Sequence, residues 1–375
     1  MSFHFYRCKI GFKIIGVVFV LVLLLLLWNP LVIWKLRHYP IMIIKELKSD
    51  RERFLTTDYH LAHKEWRLYQ IESKFGQQYC ERFVKRRKDV AWLTAMVNDD
   101  FVLPALVLGY ALQTFSCHKE MIAFVTEGVS PGFRSALTKV GWSLRVVEAM
   151  DCDWMEAKKG QQQTHSGYLG THTRFHAWNF TQYSKIIYLD PDVMPITNID
   201  ELFDMKADFA ASPCARPGVM DPCFNAGLLV FKPDRKDYVE IMKMWHQLSD
   251  KECPNDQVLL WYYYAFAGRW KALHYSYNVR RIPYRPMKVY HFACCIPPKP
   301  WSAKCRPSRK EARDYDRPIM DTDSMAVLYW KFFYNALEKY KLDVWWKTTK
   351  FYRQSQEFGT VKYSECWKRM QINVK

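Results

Sequence analysis

Two aspartates separated by one residue, Asp190 and Asp192, directly follow the apolar segment Lys185–Leu189. The β-branched and aromatic residues of this segment predict a buried strand. Ligands of open α/β sheets bind just beyond the carboxyl ends of strands. Two carboxylates at that edge can share a hard divalent cation with the phosphates of a nucleotide. The alternative is a solvated turn, which is the commoner setting for two aspartates when no buried strand precedes them.

Strands and helices alternate around this motif. The predicted strands are Val90–Met96, Met121–Val125, residues 144–147, Lys185–Leu189, residues 209–211 and residues 227–231. Helices are predicted over residues 104–115 and 171–183. Such alternation is typical of an α/β fold in which helices cover both faces of a mixed, mostly parallel sheet.

An uncharged apolar run at residues 14–34 is long enough to cross a bilayer as a helix. It lacks the small residues of a cleavage site, which favours an uncleaved signal anchor; a buried core helix is the alternative. More positive charge follows the run than precedes it, so charge counting leaves its orientation open. The predicted organisation is a cytosolic tail (1–13), the transmembrane helix (14–34), a helical stem or domain-packed helix (35–88), a globular domain (89–345) and a polar, basic tail (346–375).

The net charge of +17 raises the question of a nucleic-acid partner. The basic residues are mostly scattered, and no nucleic-acid-binding module or zinc-finger spacing occurs, so we expect no nucleic acid. An anionic membrane surface or a nucleotide sugar explains the charge more simply. Ten of the 11 cysteines follow residue 34, which is compatible with disulfides in an oxidising lumen.

Six segments resemble, in the same order, glycosyltransferase family 8, the glycogenin-like retaining sugar transferases. They are residues 91–112, 171–204, 223–234, 255–260, 290–301 and 328–340. The resemblance covers roughly residues 90–340 and implies a GT-A fold, a UDP-sugar donor and, usually, Mn²⁺. It implies transfer of a hexosyl or hexuronosyl unit to an acceptor hydroxyl on a glycan, glycolipid or protein.

The resemblance also assigns roles to individual residues. Asp190, Asp192 and His291 would bind the metal, and imidazole with carboxylates suits manganese better than magnesium. The other residues expected to contact the donor are Asn98 and Phe101 at the uracil and ribose, Arg174 and Lys299 near the phosphates, Asn225, Ala226 and Gly227 at the sugar, and Asp256 and Gln257 at the anomeric centre.

Five of these residues have simpler explanations. His291 could be a satisfied core or edge residue. Phe101 could belong to the core, and Arg174 could form an ion pair on an exposed helix face. Gly227 could serve a turn into a strand, and Asp256 could cap a helix, a role that does not exclude sugar binding. The sequence leaves these alternatives open.

Pro222 and Pro254-Asn255 stand where the family commonly has Asp and Gly-Gly, and the loop after His291 is long. These departures leave the donor sugar and the acceptor open. We expect a single-pass type II protein of the Golgi membrane with a lumenal catalytic domain, the endoplasmic reticulum being the alternative. A homodimer is also an expectation. The alternative functions are a self-glucosylating, glycogenin-like enzyme, a glucuronosyltransferase acting on xylan or a sphingolipid, and an inactive nucleotide-sugar-binding protein tethered to the membrane.

Overall fold

A computed structural model describes residues 59–150, 170–214, 223–249, 255–280, 283–293 and 299–357, together with Glu365. The predicted membrane span at residues 14–34 and the predicted cytosolic tail lie outside these residues. Within the described ranges, no helix has the length and apolar character needed to cross a membrane. Residues from Leu61 to Lys375 form one compact unit.

Within the ranges that the structure describes, ten short strands build two sheets. In chain order they are β1 (Val90–Met96), β2 (Met121–Val125), β3 (Ser143–Val146), β4 (Lys185–Leu189), β5 (Val193–Pro195), β6 (Phe209–Pro213), β7 (Phe224–Phe231), β8 (Lys271–Ala272), β9 (Val279–Arg280) and β10 (Val289–His291). Seven strands form the central sheet in the order β3-β2-β1-β4-β7-β6-β8, and β5, β10 and β9 form a small second sheet.

The central sheet is mixed and mostly parallel. Strands β1 to β4 run parallel to one another, whereas β7 is antiparallel to both β4 and β6. Along β1, Val90 and Trp92 face one core, and Ala91 and Leu93 face the other. Burial on both faces explains why β1 and β4 read as continuous apolar runs. The predicted α/β fold class with a mixed, mostly parallel sheet is therefore confirmed.

Nine helices surround the sheets in the described part of the chain. They are α1 (residues 59–83), α2 (Val102–Phe115), α3 (Pro131–Val140), α4 (Arg235–Ser249), α5 (Asp256–Leu260), α6 (Arg309–Arg313), α7 (Thr322–Lys339), α8 (Asp343–Thr348) and α9 (Lys350–Gln354). The helix predicted at 171–183 is a 3-10 helix that ends at Asn179. Further 3-10 turns are Asp99–Phe101, Asp200–Asp204, Tyr275–Tyr277 and Pro300–Ser302, and a π-helical turn spans Trp261–Ala265.

From residue 61 onward, α1 packs on the domain. Its side chains Trp66 and Tyr69 join the larger core. The Glu72 carboxylate accepts hydrogen bonds from Thr197 Oγ1 at 2.6 Å and from the backbone N–H of Asn198 at 2.8 Å. A disulfide joins Cys80 to Cys117. This part of the predicted stem region is therefore a fixed element of the compact unit.

The core also continues beyond residue 345, where the globular domain was predicted to end. Trp346 in α8 and Phe351 in α9 are buried members of the larger core. Aromatic contacts explain their burial, since the Trp346 ring lies 4.8 Å from that of Phe333 in α7. Helices α8 and α9 thus contribute to the same core as the sheet.

Candidate active site

Asp190, Asp192 and His291 meet at the carboxyl end of β4. One ligand atom from each residue lies within 4.8 Å of the others. The two aspartates occupy the turn between β4 and β5. Strand β10 pairs antiparallel with β5 and places His291 opposite Val193. The backbone N–H of Phe292 donates to Asp192 O at 3.0 Å and holds the His291 segment beside the aspartates.

Asn278 orients the buried imidazole of His291. Its Oδ1 lies 2.9 Å from His291 Nδ1, and its Nδ2 donates to Asn225 Oδ1 at 2.8 Å. Because Asn278 has its amide donor directed at Asn225, its oxygen accepts the proton of His291 Nδ1. His291 Nε2, which lies 3.2 Å from Asp192 Oδ1, then has its lone pair available for a cation.

The electrostatics of the two aspartates differ. Burial raises the pKa of Asp192, but His291, when it is protonated, and the ammonium of Lys299 outweigh burial and hold this pKa well below its usual range. Burial, which exceeds the opposing effect of Arg174, raises the pKa of Asp190. A divalent cation would supply the positive charge that Asp190 needs to stay ionised. Two carboxylates and one imidazole therefore fit a divalent cation, with manganese among the metals that this donor set suits.

Arg174 is buried in the site, so its interpretation as an exposed ion pair is wrong. Its guanidinium lies 2.9 Å from Asp190 Oδ1 and 3.0 Å from Asp256 Oδ2. It also donates to Ala226 O at 2.8 Å. Burial lowers the pKa of Arg174, but Asp190 and Asp256 more than offset this effect, so the group stays charged. Arg174 therefore links a metal-ligand candidate to a sugar-site candidate.

Asp256 is the first residue of α5, and the capping residue is Asn255, whose Oδ1 accepts from Val258 N at 2.9 Å. Asp256 is buried. The N–H of Arg174 is not directed at Asp256 Oδ2, so their 3.0 Å contact is an ion pair without a hydrogen bond. Among the described residues, this oxygen accepts no hydrogen bond. It is buried, and its capacity to accept a hydrogen bond is unused within these residues.

Gln257 fixes the start of β7. Its Oε1 accepts hydrogen bonds from Asn225 Nδ2 at 3.0 Å and from Ala226 N at 2.9 Å. Asn225 Oδ1 in turn accepts from Gly227 N at 3.0 Å. A β-carbon on Gly227 would lie 2.3 Å from His291 Cε1, so glycine is required here for the approach of the imidazole. The residues expected at the donor sugar therefore directly adjoin a metal-ligand candidate.

Lys299 and Phe101 lie close together at the edge of the site. Lys299 pairs with Asp192 Oδ2, and its Nζ is 5.3 Å from the ring centre of Phe101. The Phe101 ring is half-buried and packs against the larger core, as the core interpretation expects; its contact with a nucleotide stays a prediction. Asn98 is exposed; its Oδ1 accepts from Asp100 N at 3.0 Å and caps the turn that ends at Phe101. No described contact joins Asn98 to the metal-ligand candidates.

Two residues that contact this site have no recognisable sequence signal. Tyr188 donates its hydroxyl to Asp190 Oδ1 at 2.9 Å, and Arg174 lies over its ring. Asn278 connects His291 to Asn225. Both are parts of ordinary segments, and their roles follow only from the packing of distant elements.

Residues 93–305 match the family described as Glycosyl transferase family 8. Human glycogenin-1 is 27% identical over 288 residues, which cover 73% of this chain and 76% of glycogenin-1. Human glycogenin-2 is 31% identical, covering 68% and 52% of the two chains. Inositol phosphorylceramide glucuronosyltransferase 1 of Arabidopsis thaliana is 27% identical, covering 48% and 30%.

Among solved structures, the galactosyltransferase LgtC in complex with donor and acceptor sugar analogs aligns with a TM-score of 0.46 at 18% identity, covering 66% of this chain and 95% of LgtC. The family match spans more than half of the chain and includes the Asp190, Asp192 and His291 cluster. The chain belongs to glycosyltransferase family 8, as a glycogenin-like glycosyltransferase that uses a nucleotide-sugar donor.

Proposed function

We propose that the protein is a retaining, Mn²⁺-dependent transferase that moves a hexosyl or hexuronosyl unit from a UDP-sugar to an acceptor hydroxyl. The observation that supports this most directly is the meeting of Asp190, Asp192 and His291, with Lys299 and Asp256 adjoining through ion pairs. One buried site thus combines a cation-binding donor set, the ammonium of Lys299 and a carboxylate oxygen that accepts no hydrogen bond from the described residues.

Each residue has a defined task in this reaction. When bound, the metal acts as a Lewis acid that stabilises charge on the diphosphate. Lys299, which now neutralises Asp192, supplies a second positive charge to the leaving diphosphate. Asp256 Oδ2 accepts a hydrogen bond from a sugar hydroxyl, and its charge favours the oxocarbenium-like transition state. Arg174 holds Asp256 and Asp190 in place.

Retention of configuration requires attack on the face from which the diphosphate leaves. The bond from the anomeric carbon to the phosphate oxygen breaks as the bond to the acceptor oxygen forms. The leaving phosphate oxygen takes the proton of the acceptor hydroxyl. Gln257 does not serve as a nucleophile, because its Oε1 already accepts two hydrogen bonds at the start of β7. We assign it a positioning role.

The compartment is part of the proposal. We place residues 14–34 in the Golgi membrane as a type II anchor and the catalytic domain in the lumen, with the endoplasmic reticulum as the alternative. The disulfides Cys80–Cys117 and Cys214–Cys223 support an oxidising compartment. The acceptor can be a glycan, glycolipid or protein, and the glycogenins among the relatives keep a self-glucosylating reaction as the second candidate.

UDP release from a panel of UDP-sugars, with Mn²⁺ and the compact unit Leu61–Lys375, tests the proposal. We expect selective release from one donor and none in Asp192→Asn. Lys304→Met, at an exposed ion pair with Glu357, is the matched control and keeps wild-type release. Equal release by Asp192→Asn would contradict the metal role. UDP binding without turnover in the presence of candidate acceptors would favour the inactive binding protein.

Intact-mass measurement after incubation with UDP-glucose distinguishes the self-glucosylating reaction from transfer to an external acceptor. A self-glucosylating enzyme gains hexose masses on its own chain. We expect the mass to stay unchanged while an external acceptor is glycosylated.

A further inference from the structure

Helix α1 has two apolar faces, and the domain covers only one of them. Trp66, Tyr69 and Cys80 lie on the covered face and are buried. The second face is a stripe, spaced by three or four residues, that repeats once per helical turn. The exposed stripe consists of Leu68 (45% exposed), Ile71 (57%), Phe75 (46%), Tyr79 (59%) and Phe83 (64%).

The exposed stripe leaves a large apolar area uncovered. An aromatic side chain contributes roughly 200 Å², so three rings that are about half exposed present on the order of 300 Å² before Leu68 and Ile71 are added. Single exposed apolar residues are normal, whereas a patch of this size matches the largest patch on a typical monomer, roughly 300–600 Å², which is often functional. The covered face already supplies the contacts that hold α1 on the domain.

Basic side chains border the stripe. Lys74 Nζ lies 5.0 Å from the ring centre of Phe75, and the Arg82 guanidinium carbon lies 5.2 Å from that of Phe83. Lys64 and Arg67 are also exposed on this side of α1. Glu65 and Glu72, in contrast, are bonded to the domain through Arg285 and Thr197. Glu81 is also exposed, so the four cations leave a net positive charge on the outward side of the helix.

This arrangement of rings, aliphatic side chains and flanking cations is typical of a helix that lies in a membrane interface. We propose that the exposed stripe of α1 docks on a bilayer surface with anionic headgroups. The rings and aliphatic chains enter the headgroup boundary, and Lys74, Arg82 and their neighbours contact lipid phosphates and carboxylates. A second copy of the chain fits less well, because its stripe would bring the same positive charge.

The inference rests on the proposed membrane anchoring only for bringing α1 near a bilayer, and it requires anionic lipid in the leaflet that faces the domain. The stripe itself is independent of catalysis. A vesicle-binding measurement with the compact unit Leu61–Lys375 tests the stripe without the proposed anchor, because this unit lacks residues 14–34. The probes are vesicles of phosphatidylcholine alone and of phosphatidylcholine with phosphatidylserine. We expect binding to the second kind only, weakened by salt because the contacts are partly ionic.

The test variant is Ile71→Gln/Phe75→Gln/Tyr79→Gln. We expect it to lose vesicle binding at least tenfold while keeping UDP release. The matched control removes three exposed apolar residues elsewhere, as Tyr262→Gln/Phe266→Gln/Val344→Gln, and keeps vesicle binding. Lys74→Glu/Arg82→Glu should weaken binding to phosphatidylserine vesicles as well.

Three results would overturn the proposal. They are absence of vesicle binding by the wild-type unit, equal binding by the triple α1 variant, and a wild-type dimer that becomes monomeric in that variant. The last result, measured by analytical ultracentrifugation, would identify a second copy as the occupant. Loss of UDP release in the wild-type unit would contradict the proposed function but leave the vesicle result interpretable.

Discussion

Gly227 lies against the imidazole of His291 so closely that a β-carbon would fall 2.3 Å from Cε1 and 2.5 Å from Nδ1. The same glycine accepts the backbone N–H of Asp190 at 2.8 Å through its carbonyl oxygen. One residue of β7 therefore contacts two metal-ligand candidates, which come from β10 and from the end of β4. The absence of a side chain at this position is what lets the three strands converge.

Gly227→Ala should displace the His291 imidazole. We expect Mn²⁺ affinity and donor turnover to fall roughly 10- to 100-fold, the range for disturbing the support of a metal ligand. Electron paramagnetic resonance of Mn²⁺ and UDP release measure the two effects. Gly76→Ala is the control, because its β-carbon would meet only Thr114 O at 3.7 Å and Glu72 Cβ at 3.9 Å. Unchanged Mn²⁺ binding by Gly227→Ala would contradict the geometry.

Substitutions of Asn278 test whether this residue orients the His291 imidazole for metal binding. Asn278→Ala removes the acceptor that holds the His291 Nδ1 proton, and we expect Mn²⁺ binding to weaken roughly 10- to 100-fold. Asn278→Asp keeps an acceptor for His291 but loses the donor to Asn225. It should recover more metal affinity than donor turnover. Equal Mn²⁺ affinities for wild type and Asn278→Ala would rule out an orienting role.

The central sheet and the aspartate pair follow from local sequence. Burial on both faces requires apolar runs such as β1 and β4, and these runs are visible without tertiary information. The position of Asp190 after β4 then follows from the boundary of the strand. The helix predicted over residues 171–183 already ends at Asn179. A turn closed by Tyr183 N and Phe180 O leads from it into β4.

The convergence of side chains at the site does not follow from local sequence. Arg174 is buried because Asp190 and Asp256, from two other elements, neutralise its guanidinium. His291 reaches the site through the pairing of β10 with β5. Nothing near either residue in the sequence encodes these contacts. The sequence gives no distances between these side chains. They could be assigned to one site only because the motifs that contain them occur in the same order as in the family.

Arg174→Met should be among the most damaging single substitutions in the domain. It leaves two buried carboxylates without their shared partner, and breaking a buried pair costs about 3–5 kcal/mol of unfolding free energy. Urea unfolding of the metal-free protein measures this loss. Added Mn²⁺ should restore part of the stability by neutralising Asp190.

The control for Arg174 is Lys304→Met. Its ion pair with Glu357 is about half exposed on both sides, and such pairs contribute only about 0–1 kcal/mol. Arg174→Lys should remain impaired, because one ammonium cannot reproduce the contacts of a planar guanidinium with two carboxylates and the Ala226 carbonyl. If Arg174→Met unfolds at the same urea concentration as the wild type, other groups must neutralise the buried carboxylates of Asp190 and Asp256.

Asp256→Asn should separate catalysis from nucleotide binding. We expect donor turnover to fall roughly 100-fold, because the sugar loses a charged acceptor in the transition state. UDP has no sugar, so its dissociation constant, measured by calorimetry with Mn²⁺, should stay close to the wild-type value. A parallel loss of UDP binding would instead assign Asp256 to the integrity of the site through Arg174.

The Cys80–Cys117 disulfide ties α1 to the segment that follows α2, across 37 residues of sequence. Closing a loop of that size stabilises a folded protein by roughly 3–4 kcal/mol in the chain-entropy account. Cys80→Ala/Cys117→Ala should therefore lower the unfolding free energy by about that amount and free α1 for hydrogen exchange. Reductant should destabilise the wild type more than the double variant. If the variant and wild type have the same stability and exchange, α1 is held by Trp66, Tyr69 and Glu72 alone, and the bridge adds no support for an oxidising compartment.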